Sequence, residues 1–205
     1  IVLVHGGPTW AWGQFHTDTW PNALVLAQAG FAVLLPNPRG SNGRGADFAQ
    51  AVIDDIGGED LHDILRGVEH VAALGLIDPS RVGIAGHSYG GFMAAWAPTQ
   101  TDVFRAAAGL SIVADWPSCI LTSDAHDQSL VFLSGDAFAP DSRHRQRSPV
   151  YWPQRRPTPT LIVMGAEDRC TPASQGEELY RKLVREGVAA ELVTYPREGH
   201  GLVET

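Results

Sequence analysis

Hydrophobic and polar positions along the chain follow two periods. Short runs that are continuously apolar and rich in β-branched residues are typical of strands buried on both faces of a parallel sheet. Longer stretches in which apolar residues recur every three or four positions are typical of amphipathic helices. Six strands are predicted, and their sequences in chain order are IVLVHGG, FAVLLPNPRG, RVGIAG, FRAAAGLS, TPTLIVMGAED and AAELVTYP.

Helices are predicted between these strands. The clearest one follows the acidic pair Glu59 and Asp60, which favours a helix N-terminus, and stops before Gly75. Its apolar residues share one face and are Leu61, Ile64, Leu65, Val68, Val71 and Ala72. Another helix is predicted in WPNALVLAQAG, where the final glycine is typical of a helix end.

The last predicted helix lies between the fifth and sixth strands, with Thr171 as its N-cap, Pro172 in its first turn and Gly187 at its end. Parallel strands need helical crossovers, so this alternation predicts an α/β fold: a mostly parallel sheet of about six strands with helices on both faces. The interval 114–156 is rich in Asp, Ser, Pro and Arg, and we expect an irregular insertion within one domain spanning 1–205.

Composition and charge narrow the classes of partner. The formal net charge of -8 would repel a phosphate backbone, which argues against nucleic acid. No run of about eighteen apolar residues is present, so no membrane span is expected, and the N-terminus lacks a basic signal-peptide leader. Cys119 and Cys170 have neither metal-ligand nor disulfide-framework spacing, which fits a reducing, cytoplasmic setting.

The sequence GHSYG places Ser88 between a predicted strand and a predicted helix. A sharp turn from strand into helix strains the backbone at this serine, and side chains at the flanking positions would collide with neighbouring elements. Gly86 and Gly90 remove those collisions, so the pattern predicts a nucleophile elbow. The alternative is a plain strand-to-helix turn without chemistry.

A serine nucleophile needs a base and an acid that orients the base. Asp168 follows the fifth predicted strand, and His200 follows the sixth between two glycines. Glu167 is the alternative acid; Asp168 is preferred because it lies farther into the loop. The order Ser, Asp, His is the one expected for an α/β-hydrolase.

An oxyanion hole would need two main-chain amides close to the serine. The sequence HGGP supplies Gly6 and Gly7 after the first predicted strand, where a glycine amide can approach a substrate closely. Tyr89, the residue after the predicted nucleophile, is expected to supply the second amide.

Five motifs together resemble the catalytic domain of the prolyl oligopeptidase family of serine peptidases, in particular its acylaminoacyl-peptidase-like branch. They are HGGP, NPRGSNGRG, GHSYGGFM, GAEDRCTP and YPREGHG. The resemblance implies an α/β-hydrolase fold, with Ser88, Asp168 and His200 as the catalytic triad and the amides of Gly7 and Tyr89 as oxyanion donors.

The resemblance also implies that Trp116, Cys170 and Thr171 border the acyl-side specificity pocket. Relatives usually carry an N-terminal β-propeller, edge strands before HGGP and a helix after GHG. None of these is recognisable in this chain, so we expect a piece of a longer protein. Association through an exposed sheet edge, or with a missing N-terminal domain, would follow.

The predicted function is hydrolysis of peptide bonds in acylaminoacyl or short oligopeptide substrates, without a cofactor or metal. A carboxylesterase that uses the same triad on ester substrates is the alternative, and a non-catalytic binding module is the third hypothesis. The sequence DAHD at residues 124–127 could hold a metal, but a solvated loop explains it better because further ligands are not evident. His5 and His87 are interpreted as structural histidines beside the site.

Overall fold

The computed structural model describes residues 1–13, 23–125, 127 and 131–203. Within these ranges one sheet is formed by five parallel strands, and its spatial order follows the sequence. The strands are β1 (Val2–Val4), β2 (Val82–His87), β3 (Phe104–Leu110), β4 (Thr160–Gly165) and β5 (Ala190–Tyr195). All carboxyl ends therefore meet at one edge of the sheet, where open α/β folds place their functional groups.

The segment 31–40, predicted as a strand, joins the sheet only at one point. Leu34 forms an isolated parallel bridge with Val2, and the pairing does not extend into a ladder. Pro36 and Pro38 explain the difference, because proline lacks the N–H that a ladder needs at each second residue. The sheet thus has five strands and a bridge where about six strands were predicted.

Seven helices and one 3₁₀ turn connect the strands in the described part of the chain. They are α1 (Ala23–Gln28), α2 (Ala46–Gln50), α3 (Glu59–Ala73), α4 (Tyr89–Gln100), α5 (Trp116–Thr122), α6 (Arg143–Gln146), the turn η1 (Pro149–Tyr151) and α7 (Ala173–Arg185). The interval 114–156 contains α5, α6 and η1, while residues 126 and 128–130 of the DAHD region lie outside the described residues. Among the helices described, none has the length and apolar character to cross a bilayer.

Helices pack on both faces of the sheet. Successive residues of a strand point to opposite faces, and β1 illustrates this: Val2 and Val4 belong to the cluster that includes residues of α3 and α4, whereas Leu3 packs with Ala23 of α1. On the first face α3 buries Leu61, Ile64 and Val68, as its periodicity predicts. The two clusters fix the sheet between layers of helix.

Helix α4 is the most enclosed helix of the fold. It is apolar all round, and every residue from Tyr89 to Thr99 is buried. At Gly91 a Cβ atom would lie only 2.4 Å from the carbonyl oxygen of Leu110 in β3, so the helix lies directly on the sheet. A helix buried on all sides has little freedom to shift, and its first residue follows Ser88.

Candidate active site

Ser88 lies in a strained turn between β2 and α4. Its φ of 60° is in the left-handed region that residues with a side chain rarely adopt, at a cost of about 1–3 kcal/mol. A Cβ at Gly86 would lie 2.6 Å from the carbonyl oxygen of Val4, and one at Gly90 would lie 2.0 Å from the same oxygen. The two glycines are therefore required by the close approach of β1 to this turn.

Asp168 and His200 meet at the same edge of the sheet, after β4 and β5. Nδ1 of His200 donates to Oδ2 of Asp168 at 2.9 Å. A carboxylate can only accept, so this bond places a proton on Nδ1 and leaves Nε2 of the neutral ring as an acceptor. The side chain of Asp168 is fully buried. Glu167, the alternative acid, is exposed.

Main-chain amides hold the carboxylate of Asp168. The N–H groups of Cys170 and Thr171 both donate to Oδ1 at 2.9 Å, and Thr171 Oγ1 lies 2.9 Å from Oδ2. Thr171 thus binds the acid, and its predicted role as N-cap of α7 is wrong. The helix begins at Ala173 with Pro172 at the N-cap and no side-chain cap, because the threonine hydroxyl is engaged elsewhere.

The pKa values of the pair move in opposite directions. Burial disfavours the charged imidazole, but the hydrogen bond to Asp168 and the neighbouring side chain of Cys170 outweigh it and raise the pKa of His200 to about 9. Burial also disfavours the carboxylate, yet the bonds from His200 and Thr171 lower the pKa of Asp168 below its ordinary value. The acid therefore stays ionised beside the imidazole, as an orienting group must.

Ser88 lies at the same end of the sheet as this pair, without a hydrogen bond to it. The ring of His87, the residue before it, is 4.7 Å from the ring of His200, centroid to centroid. Across the described residues, no hydrogen bond joins Ser88 Oγ to His200. Bonds between nucleophile and base are often long in the absence of substrate and shorten when the reacting group binds.

Both candidate oxyanion donors border the cleft that contains Ser88. Gly7 and Tyr89 line this cleft, and the backbone of Gly6 approaches Ser88 so closely that a Cβ would lie 3.4 Å from the serine Cβ. Tyr89 is the first residue of α4, and N–H groups in the first turn of a helix have no partner within the helix. Its amide is therefore not used within α4, as an oxyanion donor requires.

The cleft beside Ser88 is mostly apolar. Together with the solvent space at its opening it measures about 460 Å³. Its described walls carry no charged side chain, and they include the three residues expected there, Trp116, Cys170 and Thr171. The further side chains that line it are Pro8, Ile56, Val113, Cys119, Ser123, Ala125 and Phe132.

A buried polar pair involves Tyr89, one of the candidate oxyanion donors, and was not predicted. The phenol of Tyr89 donates to Oδ2 of Asp60, and both residues are buried. The sequence pattern indicates only that Asp60 is an acidic residue favouring a helix N-terminus, and nothing local indicates a partner 29 positions away. A buried Tyr–Asp contact of this kind can be found only from the tertiary structure.

A strand elbow with a strained serine, followed after two later strands by an acid and a histidine, is the arrangement of the α/β-hydrolases. A profile of the prolyl oligopeptidase family matches residues 16–205. The peptidase YuxL of Bacillus subtilis, described as uncharacterized, is 36% identical over 207 residues, covering 100% of this chain and 31% of the relative. The human acylamino-acid-releasing enzyme is 32% identical over 213 residues, covering 100% of this chain and 29% of the enzyme.

Among solved structures, the acylaminoacyl peptidase of Pyrococcus horikoshii superposes with a TM-score of 0.91 at 32% identity, covering 98% of this chain and 33% of that one. The chain belongs to the prolyl oligopeptidase family of serine peptidases and has its α/β-hydrolase fold. It spans about a third of the length of the relatives it matches.

Proposed function

We propose that this chain hydrolyses peptide bonds in acylaminoacyl or short oligopeptide substrates by acyl transfer through Ser88, His200 and Asp168. The observation that carries the proposal is the hydrogen bond of 2.9 Å between His200 and the buried Asp168, at the sheet edge where the strained Ser88 also lies. The names of the relatives, acylamino-acid-releasing enzyme and acylaminoacyl peptidase, support this class of substrate.

In the proposed mechanism, Ser88 Oγ attacks the scissile carbonyl while Nε2 of His200 takes its proton. Asp168 stabilises the resulting imidazolium, and the amides of Gly7 and Tyr89 donate to the oxyanion, each worth about 3 kcal/mol of barrier. Collapse breaks the C–N bond, and the imidazolium protonates the leaving amine. A water molecule then attacks the acyl-enzyme by the same steps and restores Ser88.

The lining of the cleft favours substrates with an uncharged side chain on the acyl side of the scissile bond. Apolar walls stabilise an apolar side chain by roughly 25 cal/mol for each Å² removed from water. A charged side chain would lose its hydration there, and the described residues of the lining offer it no partner of opposite charge. We therefore expect acyl-side residues with an apolar side chain to be preferred.

The test is covalent labelling by a fluorophosphonate followed by turnover assays. The wild-type chain should be labelled and should release p-nitroaniline from an N-acetyl aminoacyl p-nitroanilide, and Ser88→Ala should do neither while unfolding at a similar temperature. Labelling that survives Ser88→Ala would contradict the assigned nucleophile. Turnover of p-nitrophenyl esters alone would favour the carboxylesterase, and no labelling of folded protein would favour a binding module.

The setting and partners of the chain remain predictions. Both cysteines are free thiols, which supports a reducing and cytoplasmic location. Substrates are the proposed small-molecule partners. Association through the exposed edge of the sheet, or with another domain of a longer protein, is proposed from the length of the relatives.

A further inference from the structure

We propose that His87 is a positioning residue that holds the main chain of His200 and so sets the distance between base and nucleophile. Nε2 of His87 lies 2.5 Å from the carbonyl oxygen of His200. A carbonyl only accepts, so Nε2 must carry the proton and donate it. The inference rests on the proposed function, in which His200 is the base.

The place of His87 in the fold explains why such a contact is needed. It is the last residue of β2 and directly precedes Ser88, whereas His200 follows β5. These two strands are not neighbours, because β3 and β4 lie between them in the sheet. Ladder hydrogen bonds therefore do not fix the base loop, the segment after β5 that carries His200, relative to β2, and a side chain has to span the gap.

Other contacts hold the preceding part of the base loop and, through Asp168, the ring of His200, whereas His87 makes the shorter of two bonds to its main chain. Glu167 donates its N–H to the carbonyl of Glu198 at 2.9 Å, which joins the loop to the end of β4. The carbonyl of His200 receives a second and longer contact from Ser111 Oγ, at 3.4 Å. The bond from His87 is the shorter of the two, and it comes from the residue adjoining the nucleophile.

The same bond excludes a role for His87 Nε2 as a second base. This nitrogen already donates its proton to a carbonyl, so it has no lone pair to receive a proton from Ser88. Burial lowers the pKa of His87, and the nearby His200 lowers it further. The bond to the carbonyl and the charge of Asp168 act in the opposite direction but do not outweigh burial. The group is thus a neutral donor beside His200 and the ionised Asp168.

The experiment compares His87→Leu, which has no donor, with His87→Gln, whose terminal amide can reach the position of Nε2. His62→Leu removes an exposed imidazole from α3 and serves as the control. A base displaced by about 1 Å can cost about a hundredfold in rate. We expect kcat on an N-acetyl aminoacyl p-nitroanilide to fall by between about tenfold and about a hundredfold in His87→Leu, with KM changed by less than about twofold.

A second readout separates positioning from general stability. His200 must protonate the leaving amine of an anilide, whereas p-nitrophenolate leaves without that help. The ratio of anilide to ester turnover should therefore fall in His87→Leu and return towards the wild-type ratio in His87→Gln. A merely structural role would lower both activities together and leave their ratio unchanged.

The outcomes are distinguishable from failure of the proposed function. Absence of turnover and labelling in the wild type would end the proposed function itself. An active wild type with equal kcat and equal turnover ratio in His87→Leu would overturn the positioning role, as would a His87→Gln variant as impaired as His87→Leu. If His87→Leu does not fold, His87→Asn replaces it, because its amide is one methylene too short; equal activity of the Asn and Gln variants would overturn the proposal.

Discussion

The buried pair formed by Asp60 and Tyr89 makes the stability of the fold depend on pH. Burial raises the pKa of Asp60 from 3.8 to about 6, although the bonds it accepts favour the carboxylate. Between these two pH values the folded chain holds a proton that the unfolded chain has released. The contribution of protonated Asp60 to the free energy of unfolding is therefore complete below pH 3.8 and is lost as pH rises through about 6. At about 1.4 kcal/mol per pKa unit, the carboxylate costs on the order of 2 to 3 kcal/mol at neutral pH.

Asp60→Asn removes the charge and keeps the shape of the side chain. Its amide oxygen can still accept from the N–H of Leu61, which donates to Oδ1 at 2.9 Å, and its NH₂ group can donate to the phenol oxygen of Tyr89. We expect the free energy of unfolding of the variant, relative to wild type, to increase by about 2 kcal/mol between about pH 4 and about pH 8. Other titrating groups cancel in this difference because both proteins carry them.

Urea unfolding followed by tryptophan fluorescence, at constant ionic strength and at several pH values, measures this difference. Asp47→Asn, which replaces an exposed carboxylate on α2, controls for the amide substitution itself. A difference between wild type and Asp60→Asn that stays constant with pH, or that decreases as pH rises, would refute the reasoning.

Three further predictions concern the site. The value of kcat/KM should rise with pH, with a midpoint where His200 loses its proton. Asp168→Asn should move this midpoint to lower pH and reduce kcat by about 10⁴-fold. A midpoint that does not move would count against the pairing of His200 with Asp168. Gly90→Ala should destabilise by about 3 kcal/mol or more, since its Cβ meets a carbonyl at 2.0 Å, whereas Gly83→Ala, at 3.5 Å, should be tolerated in thermal unfolding. Ala125 is half-buried and lines the cleft, so Ala125→Phe should narrow the cleft and raise KM for substrates with bulky acyl groups by at least about tenfold. Equal KM values for the variant and the wild type would reject the assigned pocket.

Local signals in the sequence account for much of the framework. The strands are predicted because apolar runs of this kind must be buried on both faces, and the elbow is predicted because only glycines fit around Ser88. The strand expected over 31–40 shows the limit of the apolar pattern. Pro36 and Pro38 disfavour a ladder strand in this segment, whereas the apolar run before them favours one.

The parts that escaped prediction all depend on contacts between distant segments. The sequence marks Asp60 only as an acidic residue at a helix start because its partner is in another element, and Thr171 is predicted as an N-cap although it binds Asp168. His87 was interpreted as structural, and its bond to the main chain of His200 spans 113 positions. A side chain that crosses between strands leaves no period in the sequence.

The strand order of the sheet has a consequence for when activity can appear. Ser88 follows the second strand, while the base follows the fifth, which borders only β4 among the described strands. An edge strand is paired on one side only, so we expect β5 to separate from the sheet more readily than the central strands and to take His200 with it while the turn at Ser88 persists. Catalytic turnover would then report whether the outermost strand is in place rather than whether the centre of the sheet is folded. A nascent chain that ends before β5 would contain Ser88 but would lack His200, and we expect it to be inactive.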